Sequence, residues 1–107
     1  MTRRTWHAAF KFDRAVRQYA RDNEGIYPGG LNGANLAGKT LLDYLPGDRL
    51  LRNAFTGLRT EPSGLNADYP GAIGYNTYVS GAVNVGYVIT AMGVDPSEML
   101  ILLSDPE

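Results

Sequence analysis

Apolar residues recur every three or four positions along the first part of the chain. This stripe consists of Trp6, Ala9, Phe12, Val16 and Tyr19. A period of 3.6 residues places these side chains on one face of an α-helix, and the charged residues lie mostly off that face. Gly25 and Pro28 are stop signals, so we predict a helix over residues 1–24. By itself the stripe indicates only that one face of the helix packs on a core.

The last third of the chain has a period of two instead. Apolar and other residues alternate over 73–79 and again over 85–92, and a third apolar run follows at 99–104. The intervening segments 80–84 and 93–98 have the length of hairpin connections, which predicts an antiparallel β-meander over 73–104. The third run is apolar on both faces, which is typical of a strand that is covered twice or completed by another molecule.

Between these regions, residues 25–72 show neither period and are rich in glycine and proline. A short helical turn is predicted after Thr40, with Asp43 at its third position, and a compact turn at 53–57. The rest is predicted to be loop. The sequence therefore predicts a single α+β domain over 1–107, in which a long N-terminal helix packs on a C-terminal antiparallel sheet of three to four strands.

Composition and charge exclude several classes of function. The absence of cysteine removes disulfides, thiolate catalysis and cysteine-based zinc sites. Ten basic and eleven acidic residues give a net charge of −1, which provides no overall field for a nucleic acid or an anionic membrane. We therefore expect no nucleic-acid partner. A weak alternative is a basic stripe along the helix, formed by Arg3, Arg4, Arg14, Arg17 and Arg21.

Candidate catalytic residues are few and scattered. His7 is the sole histidine, so one chain provides neither a histidine-based triad nor a multi-histidine metal site. Gly71 and Gly74 are not followed by a helix, as a phosphate-binding loop requires. The acidic residues Asp43, Asp48, Glu61 and Asp68 lie on separate loops. Paired carboxylates need a shared geometry that this spacing does not imply, and we predict that the protein is not an enzyme.

Five segments, in this order, resemble the soluble domain of type IV pilins and type II secretion pseudopilins. They are YARDNEGIYP (19–28), LPG (45–47), NAFTG (53–57), PGAIGY (70–75) and GYVITAMGVD (86–95). The similarity covers roughly residues 10–103. It implies a pilin-like fold and a structural role, as a subunit of an extracytoplasmic filament in the periplasm or on the cell surface.

The sequence lacks several features of this family, and these differences decide which part of a pilin the chain would correspond to. The cleavable leader, the glutamate near the mature N-terminus and the hydrophobic stem are missing, and Ala54 stands where the family often has proline. The chain would then correspond to the exposed head and the second half of the helix. Its implied partners are other pilin or pseudopilin subunits and, as one possibility, a separate short stem-helix polypeptide. Membrane contact is implied only through the missing stem.

Two sets of site residues follow from the resemblance. Trp6, Phe10 and Phe12 would contact the stem region or neighbouring subunits. Major pseudopilins commonly bind calcium beside the last strands, where this chain has Asp95, Ser97 and Asp105 as hard oxygen donors. The alternative interpretation is that Asp95 and Pro96 simply open a turn, and no other cofactor is expected.

A function of a different class remains open. The protein would then be a secreted or surface-displayed binding module on a pilin-like scaffold. The loops 29–35 and 58–72 would hold a protein, a glycan or DNA.

Overall fold

The computed structural model describes residues 2–62 and 66–104. Within these residues it has one α-helix, α1 (Thr2–Arg21), and single 3-10 turns at Leu41–Tyr44 and Pro46–Asp48. Three strands follow, β1 (Ile73–Ser80), β2 (Val83–Met92) and β3 (Met99–Leu103). They form one antiparallel sheet in the order β1-β2-β3. The predicted α+β fold is confirmed, with three strands in the described part of the chain.

α1 is amphipathic as its period predicts. Ala9, Phe12, Val16 and Tyr19 are all buried along one face. The helix ends at Arg21, before the predicted end at Glu24, and two residues with positive φ, Glu24 (57°) and Gly25 (82°), follow it. The N–H of Gly25 donates to the carbonyl of Ala20 at 2.8 Å, a bond that closes the end of a helix.

The core lies between α1 and the inner face of the sheet. The ring of Phe12 packs edge-on against Tyr75, with 5.4 Å between the ring centroids. Leu41, in the first 3-10 turn, and Leu45, which follows that turn, are buried in the same cluster. The carboxylate of Asp43 accepts the N–H of Thr40 at 2.9 Å, so this turn begins directly after Thr40, as predicted.

Polar groups of α1 also join the helix to the central strand. Tyr87 of β2 is completely buried, and its hydroxyl donates to the carboxylate of Asp13. Arg17 pairs with the same carboxylate at 3.0 Å, and its guanidinium lies 5.7 Å from the centroid of the Tyr87 ring. The buried phenol therefore has a partner, so its burial leaves no unsatisfied hydroxyl.

The segment 66–72 crosses the outer face of the sheet at one end. The N–H of Ala67 donates to the Oγ1 of Thr90 at 2.7 Å, and the N–H of Gly71 donates to the carbonyl of Met92 at 2.8 Å. Ala67, Ala72 and Met92 form a small second cluster of buried residues. One half of the outer face is covered in this way.

Candidate functional site

The other half of the outer face is apolar and uncovered. The strand register pairs Asn76 with Val88 and Val88 with Leu103, so these residues share one face. Tyr78, Ile101 and Leu103 lie on this face, and each is more than half exposed. We call Tyr78, Ile101 and Leu103 the outer patch. Its position on the sheet opposite α1 means that the helix cannot cover it.

β3, which carries two residues of the outer patch, is also an edge strand. The N–H of Ser104 donates to the carbonyl of Tyr87 at 3.1 Å. Because bonding alternates along an antiparallel ladder, the backbone groups of Leu103 and Ile101 point outwards, to the free edge. The guanidinium of Arg17 donates to the carbonyl of Leu103 at 3.2 Å. At Ile101 the edge has the geometry for pairing with a further strand, whereas the carbonyl of Leu103 already accepts this bond from Arg17.

The three residues predicted for the subunit interface lie in different environments. Phe10 is 51% exposed, whereas Trp6 is half-buried. Phe12 is 1% exposed and packs in the core of its own chain, so it is not available as a surface contact. Two residues correspond to about 200° around a helix, which puts Phe10 on the side of α1 away from the core.

The three predicted calcium ligands are only partly described. Asp95 and Ser97 lie in the turn between β2 and β3, and Asp105 lies outside the described residues. One carboxylate oxygen of Asp95 accepts both the hydroxyl of Ser97 and its N–H, the latter at 2.9 Å. These bonds lower the pKa of Asp95. This is the geometry of a turn opened by an aspartate, and the calcium site stays a prediction.

The other candidate acids do not converge. Asp43 accepts a hydrogen bond from Thr40. Asp48, Glu61 and Asp68 are exposed at separate places in the connecting region, residues 25–72. Over residues 2–62 and 66–104, no group of three or more histidine and acidic side chains is arranged to hold a metal ion.

A cationic feature was missed by the sequence analysis. A groove of about 580 Å³ runs between the first half of α1 and the connecting region. Six groups that carry or can acquire a positive charge line it: Arg4, His7, Lys11, Arg49, Arg52 and Arg59. We call this the basic groove. The signal in the sequence was the placement of arginines on both sides of the turn 53–57, which folds Arg59 back beside Arg52.

Comparison of the chain with models of protein families, with curated proteins and with solved structures finds no match. Among the described residues, no helix is both long enough and apolar enough to cross a membrane.

Proposed function

We propose that this protein is a non-catalytic structural subunit of an extracytoplasmic filament, of the type IV pilus or type II secretion pseudopilus kind. The observation that carries the proposal is the outer patch on an edge strand, beside a core that is already closed by α1. An uncovered apolar sheet edge is a site of strand pairing and aggregation unless another surface covers it. In a polymer, the next subunit supplies that surface.

The position of Phe10 supports a filament over a closed dimer. Phe10 projects from α1 away from the core, and the outer patch lies on the opposite side of the sheet. A contact between Phe10 of one copy and the outer patch of the next is heterologous, because the two surfaces that meet are different. Heterologous contacts that do not close into a ring produce helical filaments.

The architecture supports the same proposal at the level of fold. An N-terminal helix packed on a C-terminal antiparallel meander, with a loop-rich connection between them, is the arrangement that the resemblance to pilins implies. We propose accordingly that the fold is pilin-like and that Trp6 and Phe10 face the stem or a neighbouring subunit.

One observation favours the alternative, a surface-displayed binding module. A cavity of about 200 Å³ lies where the two predicted binding loops meet, between Gly29–Asn32 on one side and Glu61 and Pro62 on the other. Tyr75 and Leu41 form its base. A cavity with apolar walls and one carboxylate is able to hold a small apolar group of a partner.

Cysteine crosslinking distinguishes the two functions, because the chain has no cysteine of its own. The double variant Phe10→Cys/Ile101→Cys is produced from the complete gene in its native cells, which are then treated with a short bifunctional thiol crosslinker. We expect a ladder of covalent multimers, since each copy would be joined to two neighbours. The matched control is Phe10→Cys/Lys39→Cys, whose second cysteine is exposed but lies outside the outer patch. It should give no ladder.

A monomer band from both double variants would reject the filament. So would equal ladders from the two variants, because random collisions produce them. If the protein is recovered as a monomer that binds a soluble ligand, and if filling the cavity with Gly30→Trp abolishes that binding, the binding module is the better description.

A further inference from the structure

The basic groove concentrates charge that the net charge of the chain conceals. Five of the ten arginine and lysine residues line it, namely Arg4, Lys11, Arg49, Arg52 and Arg59. No carboxylate side chain is among the described residues that line it. A total charge of −1 averages this region with the acidic turns elsewhere, so it does not describe the local field.

The fold holds these cations close together. Arg52 and Arg59 are direct partners in an isolated antiparallel bridge, where like charges oppose each other and destabilise the pair. Nη1 of Arg59 donates to the carbonyl of Leu50 at 2.6 Å, which fixes that side chain. Partial desolvation, and then the positive charges of Arg49 and Arg52, lower the pKa of Arg59.

These charges are not neutralised by the acidic residues that the structure describes. The ion pairs found there join Arg17 to Asp13 and Arg21 to Asp22, and none includes a cation of the basic groove. An anion from another molecule would therefore relieve the repulsion between Arg52 and Arg59.

The length of the groove indicates the kind of anion. Arg4 and Lys11 are seven residues apart on α1, which corresponds to about 10 Å along a helix. A single phosphate cannot reach both ends, whereas a chain of phosphates can. Arginine binds phosphate oxygens with two parallel hydrogen bonds, so a wall of three arginines suits a phosphodiester backbone.

The lining also distinguishes a duplex from a single strand. Proteins that hold single-stranded nucleic acid stack its bases on aromatic side chains, and no phenylalanine, tyrosine or tryptophan is among the described residues that line the basic groove. We propose that the basic groove binds the phosphate backbone of double-stranded nucleic acid without reading its sequence. The groove uses neither Phe10 nor the outer patch, so this inference does not depend on filament assembly.

The test measures binding of a fluorescent DNA duplex of mixed sequence to the purified chain by anisotropy, over a series of salt concentrations. The logarithm of the association constant should fall linearly with the logarithm of salt, with a slope of up to about −4.5 for five phosphate contacts. The variant Arg49→Gln/Arg52→Gln should weaken binding by at least about tenfold and reduce the slope by about 2. It leaves the hydrogen bond of Arg59 in place, and circular dichroism checks its fold.

The matched control is Arg14→Gln/Arg21→Gln, which makes the same change in net charge at helix positions outside the groove. It should retain most of the affinity and the slope. Equal losses in the two variants would overturn the proposal, because they would indicate attraction by overall charge. Tighter binding of single-stranded DNA, or displacement of the duplex by an equal charge of polyglutamate, would overturn it as well. Binding of the duplex together with a negative result in the crosslinking test would reject the filament alone.

Discussion

At the scale of single residues, Asn53 organises a segment that has no hydrophobic period. Its Oδ1 accepts the N–H groups of Phe55 at 2.7 Å and Thr56 at 3.2 Å, and its Nδ2 donates to the carbonyl of Pro70 at 3.0 Å. Gly71 lies against this side chain at φ +80°, and a Cβ at Gly71 would be 2.1 Å from Oδ1. One buried amide therefore ties the turn between Arg52 and Arg59 to the segment 66–72, which leads into the sheet.

Replacing Asn53 or Gly71 should lower the stability of the protein. Asn53→Ala should lower the free energy of unfolding by about 2–3 kcal/mol, because its hydrogen bonds at a buried site are lost. Gly71→Ala should cost about 2 kcal/mol, from the positive φ and from the clash. The double variant should cost less than the sum, because removal of the Asn53 amide makes room for the new Cβ. Urea unfolding measures all three variants, and strict additivity would show that the two residues do not touch.

Two buried tyrosines predict a loss of stability at alkaline pH. Burial raises the pKa of Tyr75, and burial together with the hydrogen bond to Asp13 raises the pKa of Tyr87. The unfolded chain therefore loses these protons near the ordinary tyrosine pKa of about 10, before the folded chain does. Stability is complete below this pH and falls as the pH rises through the raised values, with a slope of about 1.4 kcal/mol per pH unit for each tyrosine.

Denaturant unfolding at several pH values above neutrality measures this slope. Tyr75→Phe should reduce the slope of the unfolding free energy with pH by the contribution of one tyrosine. The variant also loses the 2.6 Å hydrogen bond to the carbonyl of Pro28. An unfolding free energy that is level through the tyrosine range would contradict the burial of both phenols.

At the scale of elements, the β1–β2 hairpin is closed by a turn that does not suit its residues. Gly81 and Ala82 both have positive φ, 56° and 65°, between the paired residues Ser80 and Val83. This is a two-residue turn of the type I′ class, which matches the twist of the strands and favours asparagine or glycine. Ala82 is exposed and gains no packing in return for its left-handed backbone.

Ala82→Gly should therefore stabilise the protein by about 0.5–1 kcal/mol, since relief of the left-handed alanine exceeds the entropy cost of glycine. For a domain of this size the melting temperature should rise by about 2–4 °C. Gly81→Ala is the matched control, and it should lower the melting temperature by a similar amount. A loss of stability in Ala82→Gly would mean that the turn adopts a different conformation in solution.

Helix α1 carries positions that support the fold and, on another side, the exposed Phe10, which we propose supports assembly. Val16→Asp should unfold the domain, because it buries an unpaired charge in the core. Phe10→Asp should leave the melting temperature within about 2 °C, because Phe10 is exposed, and should abolish recovery of the protein in filaments sheared from its native cells. Circular dichroism and sedimentation of the filaments provide the two measurements. Unfolding by Phe10→Asp would place this side chain in the core.

At the scale of the whole molecule, elements with a strong period were predictable and their boundaries less so. The stripe of Ala9, Phe12, Val16 and Tyr19 packs as expected, and the three strands pair in chain order. Such periods report which face is buried. They also identified β3 as apolar on both faces, and the structure adds that Ile101 and Leu103 face outwards on its exposed side.

The connecting region was much less predictable, for a physical reason. Its shape depends on hydrogen bonds between residues far apart in sequence, such as Asn53 with Pro70 and Ala67 with Thr90. No local pattern encodes these pairs. The basic groove was missed for the same reason, because it joins the first half of α1 to arginines far along the chain. The assignment of Phe12 to the interface confused an aromatic residue on the core face with one on the surface.

The bonds from α1 to the sheet have a mechanical consequence. Arg17 reaches the carbonyl of Leu103 on the last strand, while Asp13 holds Tyr87 on the middle one. A pull applied at the start of the helix is therefore transmitted sideways into β2 and β3 together, as shear, without passing first through the loops. A domain that shares tension between two strands in this way resists being peeled open from one edge.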